Sequence, residues 1–217
     1  MNLAILNLES LHLYGIIDLG YVKPDAVGPM TRALVEGGVD VVQLRAKNFP
    51  PSEVERLARL MHPITCDAGV PLVINDHPQV SAAVGSEGVH VGQDDLSVTE
   101  TRRIVGESCF VGKSTHSLAQ ATAALAEGAD YIGFGPLFAT GTKPDYVPVG
   151  LSEIEEVERR AAVPVFCIGG INLERLPQVL SAGARRVVIV SALLLAVDVR
   201  AYVKEVVVTM RRREDKG

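Results

Sequence analysis

A single pattern repeats along the chain. A short run of β-branched and other apolar residues is followed by a polar or glycine-rich break, and then by an amphipathic stretch with helical periodicity. Several of the apolar runs are continuous, which is typical of strands that are buried on both faces. The pattern predicts these strands: Tyr14–Asp18, Val41–Arg45, Pro71–Asn75, Gly88–Gly92, Cys109–Lys113, Tyr131–Gly135, Val163–Ile168 and Val187–Val190.

Amphipathic segments alternate with the strands. At two of the predicted helix starts, Ser52 with Glu55 and Ser152 with Glu155 match the spacing of a capping box. The predicted helices are Asp25–Glu36, Ser52–Ala68, Pro78–Val84, Val98–Val105, Leu118–Glu127, Ser152–Ala161, Leu173–Ser181 and Val199–Arg212.

The alternation predicts an α/β fold with a parallel sheet, and closure into a (β/α)8 TIM barrel is its simplest arrangement. An open doubly wound sheet is also compatible with the alternation. The length of 217 residues suits one barrel, and no linker-like change of composition divides the chain. We therefore predict a single domain over residues 1–217.

Composition narrows the range of partners. The net charge is −5, so the chain has no general basic patch and nucleic acid is not expected as a partner. The longest nearly apolar run, 187–197, is far shorter than the roughly 20 residues that cross a bilayer, so no membrane association is expected.

The three cysteines are odd in number and show no metal-ligand spacing, and Cys109 and Cys167 lie in apolar runs where buried thiols are expected. These features predict a cytoplasmic protein.

Polar residues concentrate at the predicted carboxyl ends of the strands, where barrel enzymes build their active sites. Gln43, Arg45 and Lys47 alternate at strand two, so the two-residue repeat of a strand points all three the same way. Later strands end in further polar or small residues: Asn75 and Asp76, Asp95, Ser114 to His116, Thr140 with Thr142 and Lys143, Gly169 and Gly170, and Ser191.

The residue types at these ends indicate two anion sites. Arg45, Lys47 and Lys143 suit a phosphate or diphosphate group. Asp76 and Asp95 are two hard oxygen ligands, the usual protein share of a Mg²⁺ site. The glycines after strand seven and the residues after strand eight match the place where barrels bind phosphate through backbone N–H groups. This combination suggests a leaving diphosphate next to a second, phosphorylated substrate.

Several of these residues also have structural interpretations. Asp76 can cap the following helix. Arg45 can be a buried ion-pair partner inside the barrel. His90 can be a hydrogen-bonded interior histidine, and His116 can simply begin a helix. We regard the convergence of separate clusters on one face as stronger support for a site than any single residue.

Seven motifs together resemble the thiamine-phosphate synthase family, in order and across most of the chain. They are QLRAKN (43–48), VIND (73–76), GVHVGQDD (88–95), STHS (114–117), GFGPLFATGTK (133–143), IGGI (168–171) and VVIVSAL (187–193). The resemblance implies a (β/α)8 barrel that joins hydroxymethylpyrimidine diphosphate to a thiazole phosphate, giving thiamine phosphate and diphosphate.

The resemblance also implies roles for the matching positions. Asp76 and Asp95 would bind Mg²⁺, and Ser114 and Lys143 would be the catalytic residues. Gln43 would contact the pyrimidine, and His90 falls in a motif that faces it. The implied diphosphate ligands are Arg45, Lys47, Asn75, Lys143 and Ser114. The implied surroundings of the thiazole and its phosphate are Thr140, Thr142, Gly170, Val190 and Ser191.

The implied mechanism is dissociative, with a pyrimidine-methyl cation captured by the thiazole nitrogen. It explains the long segment Gly133–Gly150, which would fold over the mouth and exclude water. Ala139 stands where the family often has proline, and Lys113 stands where a small apolar residue is common. The orientation of Lys113, toward the helices or toward a neighbour, is open.

Two other functions are considered. A thiazole tautomerase would isomerise a thiazole carboxylate phosphate with histidine acid–base chemistry, and it would not need the full set of cations and carboxylates present here. A thiamine-precursor-binding protein without turnover is the non-enzyme alternative. The small-molecule substrates are the expected partners, and a homodimer is predicted by analogy alone.

Overall fold

The strands form a closed parallel barrel in which each strand pairs with its neighbour along the chain and β8 pairs with β1. A computed structural model describes residues 7–141 and 147–214. The strands are β1 (Leu13–Asp18), β2 (Val41–Arg45), β3 (Leu72–Asn75), β4 (Gly88–Val91), β5 (Phe110–Thr115), β6 (Tyr131–Phe134), β7 (Val165–Ile168) and β8 (Arg186–Ile189). The predicted (β/α)8 barrel is confirmed, and the open sheet is excluded.

Helices follow the strands around the outside of the barrel. They are α1 (Val27–Gly37), α2 (Pro51–Asp67), α3 (Pro78–Val84), α4 (Val98–Val105), α5 (Leu118–Ala126), α6 (Ile154–Arg160), α7 (Leu176–Ser181), α8 (Ser191–Leu194) and α9 (Val199–Glu214). Two short 3₁₀ helices, Leu8–Ser10 and Pro24–Ala26, flank β1. No helix within the described part of the chain is long and apolar enough to cross a membrane.

The helix starts differ from the predicted caps. Helix α2 begins at Pro51, because proline suits the first helical position, so Ser52 lies inside the first turn and caps nothing. Helix α6 begins at Ile154 after an uncapped turn, so the capping box predicted at Ser152 is also wrong. A capping box forms instead at α4, where Ser97 and Glu100 bond to each other's backbone N–H groups.

The inside of the barrel is filled by aromatic rings packed over glycines. A Cβ atom added to Gly112 would lie 2.0 Å from the Tyr131 ring, and one added to Gly88 would lie 2.3 Å from Phe110. Tyr14 and Phe166 complete this layer, with their ring centroids 5.4 Å apart. The rings fill the barrel interior below the mouth at its carboxyl end.

Candidate active site

Two adjoining pockets open at the carboxyl ends of the strands. We call the first the charged pocket, because the residues lining it include Lys47, Asp76 and Asp95. We call the second the glycine pocket, because Gly133, Gly135, Gly169 and Gly170 contribute to its wall. The pockets share three lining residues, which are Arg45, Asn75 and Ser114. Those predicted residues that the structure describes therefore meet at one rim, although they come from separate segments.

Gln43 and Arg45 of β2, and Lys47 two residues after its end, lie at three depths. Gln43 is buried at the bottom of the glycine pocket, Arg45 is partly exposed where the pockets meet, and Lys47 is exposed in the charged pocket. Arg45 Nη1 donates to Asp18 Oδ2 at 2.5 Å, and Asp18 lies opposite Arg45 in the strand register. The ion-pair interpretation of Arg45 is therefore confirmed, and the pair holds the guanidinium at the boundary between the two pockets.

Asp76 and Asp95 lie together in the charged pocket. Asp76 has a left-handed backbone, with φ of 62°, directly after β3. Gly92 N donates to Asp95 Oδ2 at 2.7 Å, which fixes the second carboxyl. His77, not Asp76, occupies the N-cap of α3, and no side chain caps that helix, so the capping interpretation of Asp76 is wrong.

Asp95 perturbs the ionisation of Asp76. Burial, together with a hydrogen bond and charge repulsion from Asp95, raises the pKa of Asp76 to about 6, although Lys47 and Arg45 act in the opposite direction. Two carboxylates in contact repel each other unless a proton or a cation lies between them. The two carboxyl groups therefore form a pair of oxygen ligands that a divalent cation would stabilise.

A series of hydrogen bonds crosses the barrel and ends in residues that line the pockets, with Gln43 at one end and His90 and Ser114 at the other. Gln43 Nε2 donates to the Tyr14 hydroxyl at 2.7 Å, and the Tyr14 and Tyr131 hydroxyls lie 3.2 Å apart. Tyr131 then bonds to His90 Nδ1 at 2.9 Å, and His90 Nε2 bonds to Ser114 Oγ at 2.9 Å. The interior interpretation of His90 is confirmed, and its ring also lines the glycine pocket.

The hydrogen bonds of Tyr14 and Tyr131 were not predicted from the sequence, because both residues lie in apolar runs that indicate only strands. Both are fully buried, and burial raises the pKa of each hydroxyl, so both stay protonated. The residue type itself could have indicated these bonds, because a buried tyrosine usually places its hydroxyl against a polar partner. Their hydroxyls connect Gln43 to His90 and Ser114.

The wall of the glycine pocket is formed by closely packed backbone. Gly169 and Gly170 have φ of 104° and 66°, in the left-handed region that favours glycine. A Cβ atom on Gly169 would lie 2.5 Å from Pro136, and one on Gly170 would lie 2.9 Å from Phe138 Cβ. Only glycine therefore lets the loop after β7 pack against the loop after β6.

The eighth strand ends one residue earlier than predicted. Val190 is the N-cap of α8 and Ser191 is its first residue, so Ser191 begins a short helix instead of ending a strand. Both residues line the glycine pocket, as do Thr140 and Gly170. The prediction ended strand eight at Val190 and assigned no helix to the residues that follow it, so α8 was missed.

The remaining predicted residues fall in different places. Thr142 and Lys143 lie outside the described residues. His116 precedes α5, whose N-cap is Ser117, and it lines the glycine pocket. Lys113 is buried on the helical side of β5, with its Nζ 3.9 Å from Glu127 Oε2, which answers the open question of its orientation.

The fold and the site define the class of protein. A closed (β/α)8 barrel with perturbed, convergent polar residues at the carboxyl ends of its strands is a barrel enzyme with its active site at that mouth. The sequence profile of the thiamine monophosphate synthase family matches residues 13–193. The chain belongs to this family, and the predicted assignment to a transferase is confirmed.

Individual relatives agree with the family match. The chain is 38% identical over 204 residues to the thiamine-phosphate synthase of Chloroflexus aurantiacus, covering 94% of each chain. It is 44% identical over 169 residues to that of Thermus thermophilus, covering 77% of this chain and 81% of the relative. A solved thiamine phosphate pyrophosphorylase from Pyrococcus furiosus superposes with a TM-score of 0.85 at 30% identity, covering 93% of this chain and 96% of that structure.

Proposed function

We propose that this chain joins hydroxymethylpyrimidine diphosphate to a thiazole phosphate and releases thiamine phosphate and diphosphate. The observation that carries the proposal is the pair of adjoining pockets that share Arg45, Asn75 and Ser114. A reaction between a diphosphate ester and a phosphorylated acceptor needs two anion-binding regions next to each other. The family membership of the chain supports the same reaction.

The charged pocket is assigned to the diphosphate. Arg45 and Lys47 supply positive charge at its wall, and Asn75 and Ser114 supply neutral hydrogen-bond donors where it meets the glycine pocket. Lys143 is assigned to the same group from the sequence alone. The cations would stabilise negative charge that develops as the diphosphate departs.

Asp76 and Asp95 would hold Mg²⁺ in the charged pocket. Their fit to this ion rests on the contact between the two carboxyls and on the raised pKa of Asp76, which a cation would reverse. When bound, the ion would neutralise charge on the diphosphate oxygens.

The glycine pocket is assigned to the two rings and to the thiazole phosphate. Thr140, Gly170, Val190 and Ser191, which line it, would surround the phosphorylated thiazole. Thr142 is assigned to the same group from the sequence. Gln43 and His90 would contact the pyrimidine from the floor, where the buried chain of hydrogen bonds keeps their side chains in place.

The reaction is a displacement in two steps. The bond between the pyrimidine methylene carbon and the diphosphate oxygen breaks first, and both electrons leave with the diphosphate. The lone pair of the thiazole nitrogen then forms a bond to the same carbon. No protein nucleophile is required, so the residues of the chain orient the two substrates, stabilise the leaving group and exclude water.

A turnover assay with both substrates, with and without Mg²⁺, tests the proposal. Thiamine phosphate and diphosphate should form in equal amounts, and only when Mg²⁺ is present. Isomerisation of a thiazole carboxylate phosphate without diphosphate release would instead identify a tautomerase. Tight binding of either substrate without turnover would identify a binding protein. A homodimer and a cytoplasmic location stay predictions from the sequence.

A further inference from the structure

A cluster of three metal-ligating side chains lies at the opposite end of the barrel from the active site. His62 and Cys66 are four residues apart on α2, so they lie on the same side of the helix. Glu87 directly precedes β4, and Leu72 N, at the start of β3, donates to its Oε2 at 2.8 Å. The cluster therefore lies at the amino ends of the strands, where α2 ends.

The spacing of the three ligand atoms suits one metal ion. His62 Nε2 lies 3.2 Å and Cys66 Sγ lies 3.9 Å from Glu87 Oε1, and all three atoms are within 4.8 Å of one another. In a tetrahedral zinc site, neighbouring N and O ligands lie about 3.3 Å apart and neighbouring S and O ligands about 3.5 Å apart. Side-chain movements of roughly an ångström or less would complete such a geometry.

The surroundings of the cluster favour a cation. Cys66 lies in the last turn of α2, where the helix dipole is negative. The Glu87 carboxylate adds negative charge 3.9 Å from Cys66 Sγ, so it would attract a cation, and a bound cation would favour the Cys66 thiolate.

The donor set also selects the kind of ion. One imidazole nitrogen, one sulfur and one carboxylate oxygen are ligands for zinc and similar transition metals, whereas Mg²⁺ and Ca²⁺ prefer oxygen alone. Glu87 is oriented by its second hydrogen bond to Leu72 N, as ligating carboxylates commonly are. The Cys66 side is exposed, which leaves a route for the ion and for a water ligand.

We propose that His62, Cys66 and Glu87 form a three-ligand site for a divalent transition-metal ion of the zinc type, separate from the Mg²⁺ site proposed at the mouth. The ion would link the end of α2 to the segment before β4. Because it would bind the folded chain more tightly than the unfolded one, it would raise the resistance of the protein to heat without taking part in the reaction.

The test uses cobalt as a spectroscopic probe for zinc. The full chain, stripped with a chelator and dialysed, is titrated with Co²⁺ while the near-ultraviolet absorption is recorded. One ion per chain should give a thiolate-to-cobalt charge-transfer band that Zn²⁺ abolishes. Co²⁺ bound at Asp76 and Asp95 cannot give this band, so Asp95→Asn should retain it. The absence of the band in the wild-type chain would overturn the proposal.

Variants assign the ligands. Cys66→Ser should lose the band completely, and His62→Gln should weaken Co²⁺ binding about tenfold or more. Glu55→Gln, which removes a partly exposed carboxylate paired with Arg59 on the same helix, is the control and should bind Co²⁺ like the wild type. A band of undiminished strength in Cys66→Ser would contradict the site.

Alkylation gives a second measurement that needs no variant. Cys66 is exposed, whereas Cys109 and Cys167 are buried. In the chelated protein a thiol reagent should modify Cys66 alone, and Zn²⁺ should slow that modification at least tenfold. Equal rates with and without Zn²⁺ would show that His62 and Glu87 form only an ion pair beside a free thiol.

Discussion

The two sides of the barrel mouth are built in different ways. The charged pocket, beyond β2 to β4, depends on the ends of long or ionised side chains such as Lys47, Asp76 and Asp95. The glycine pocket, beyond β6 to β8, depends on backbone that packs closely because Gly169 and Gly170 have no Cβ atom. One side is therefore sensitive to the loss of charge, and the other to the addition of volume.

The largest expected effect tests the charged side. Asp95→Asn keeps the size of the side chain but removes half of the proposed metal pair, so turnover at saturating substrates should fall roughly 10³-fold, equivalent to about 4 kcal/mol. The residual activity should need much more Mg²⁺. Steady-state rates across a Mg²⁺ titration measure both effects.

Asp25→Asn, an exposed carboxylate outside the charged pocket, provides the comparison and should leave the Mg²⁺ titration unchanged. Wild-type turnover of Asp95→Asn at ordinary Mg²⁺ would remove the metal role from this pair of carboxylates.

The next effect tests the glycine side. Gly170→Ala would place a Cβ atom 2.9 Å from Phe138 Cβ at a left-handed position, so the wall must shift. We expect affinity for the thiazole phosphate to fall about tenfold or more, with little change for the pyrimidine diphosphate. Titration calorimetry with each substrate alone separates the two.

Gly85→Ala is a matched control for backbone strain. Gly85 also has a left-handed φ, of 75°, but an added Cβ atom there meets no atom within 4 Å. It should lower stability without changing either affinity. If Gly170→Ala and Gly85→Ala weakened thiazole-phosphate binding equally, the close contact between Gly170 and Phe138 would not be the cause of the weaker binding.

A smaller effect is expected at Ser191. Ser191→Ala removes one hydroxyl from the lining of the glycine pocket, which should weaken thiazole-phosphate binding by about 1 kcal/mol, or roughly fivefold. Pyrimidine diphosphate binding should change less. Calorimetry that showed the opposite order would mean that the two substrates are assigned to the wrong pockets.

The smallest kinetic effect is expected in the buried series of hydrogen bonds. Tyr131→Phe leaves its partners, the Tyr14 hydroxyl and His90 Nδ1, with one hydrogen bond fewer in a buried place, so the free energy of unfolding should fall by about 1–3 kcal/mol. Because Ser114 bonds to His90, kcat should also fall a few-fold while KM for the thiazole phosphate stays nearly constant.

Tyr202→Phe serves as the control, since its hydroxyl accepts a hydrogen bond from Leu173 N outside the barrel. It should affect stability but not kcat. If Tyr131→Phe kept the wild-type kcat, the buried series of hydrogen bonds would have only a structural role.

The sequence was sufficient to predict the fold and to place Arg45, Lys47, Asp76 and Asp95 at one rim. Continuous apolar runs locate the strands to within about two residues, because strands buried on both faces have few polar positions. Arg45, Asp76 and Asp95 were recognisable because charges at the ends of apolar strands need an explanation. The helix starts were harder, since Pro51 outweighed the apparent cap at Ser52.

Contacts between distant segments could not be predicted in this way. The bond from Tyr131 to His90 depends on ring positions inside a closed barrel, and the grouping of His62 and Cys66 with Glu87 depends on how α2 ends beside the segment before β4. The backbone wall at Gly169 and Gly170 was indicated only by its position after strand seven and by the family resemblance. In each case the contact joins residues that are far apart in the sequence, and the sequence pattern does not give the distance between them.

The aromatic layer over Gly88 and Gly112 limits how this site can change. Each ring occupies the space that a side chain on its glycine would need, so neither member of a pair can be enlarged alone. Deepening the cavity for a bulkier substrate would start with a smaller residue at Tyr131, which would leave a void above Gly112. Ring and glycine must therefore be exchanged together, and variants that alter only one of them should lose stability before they acquire a new specificity.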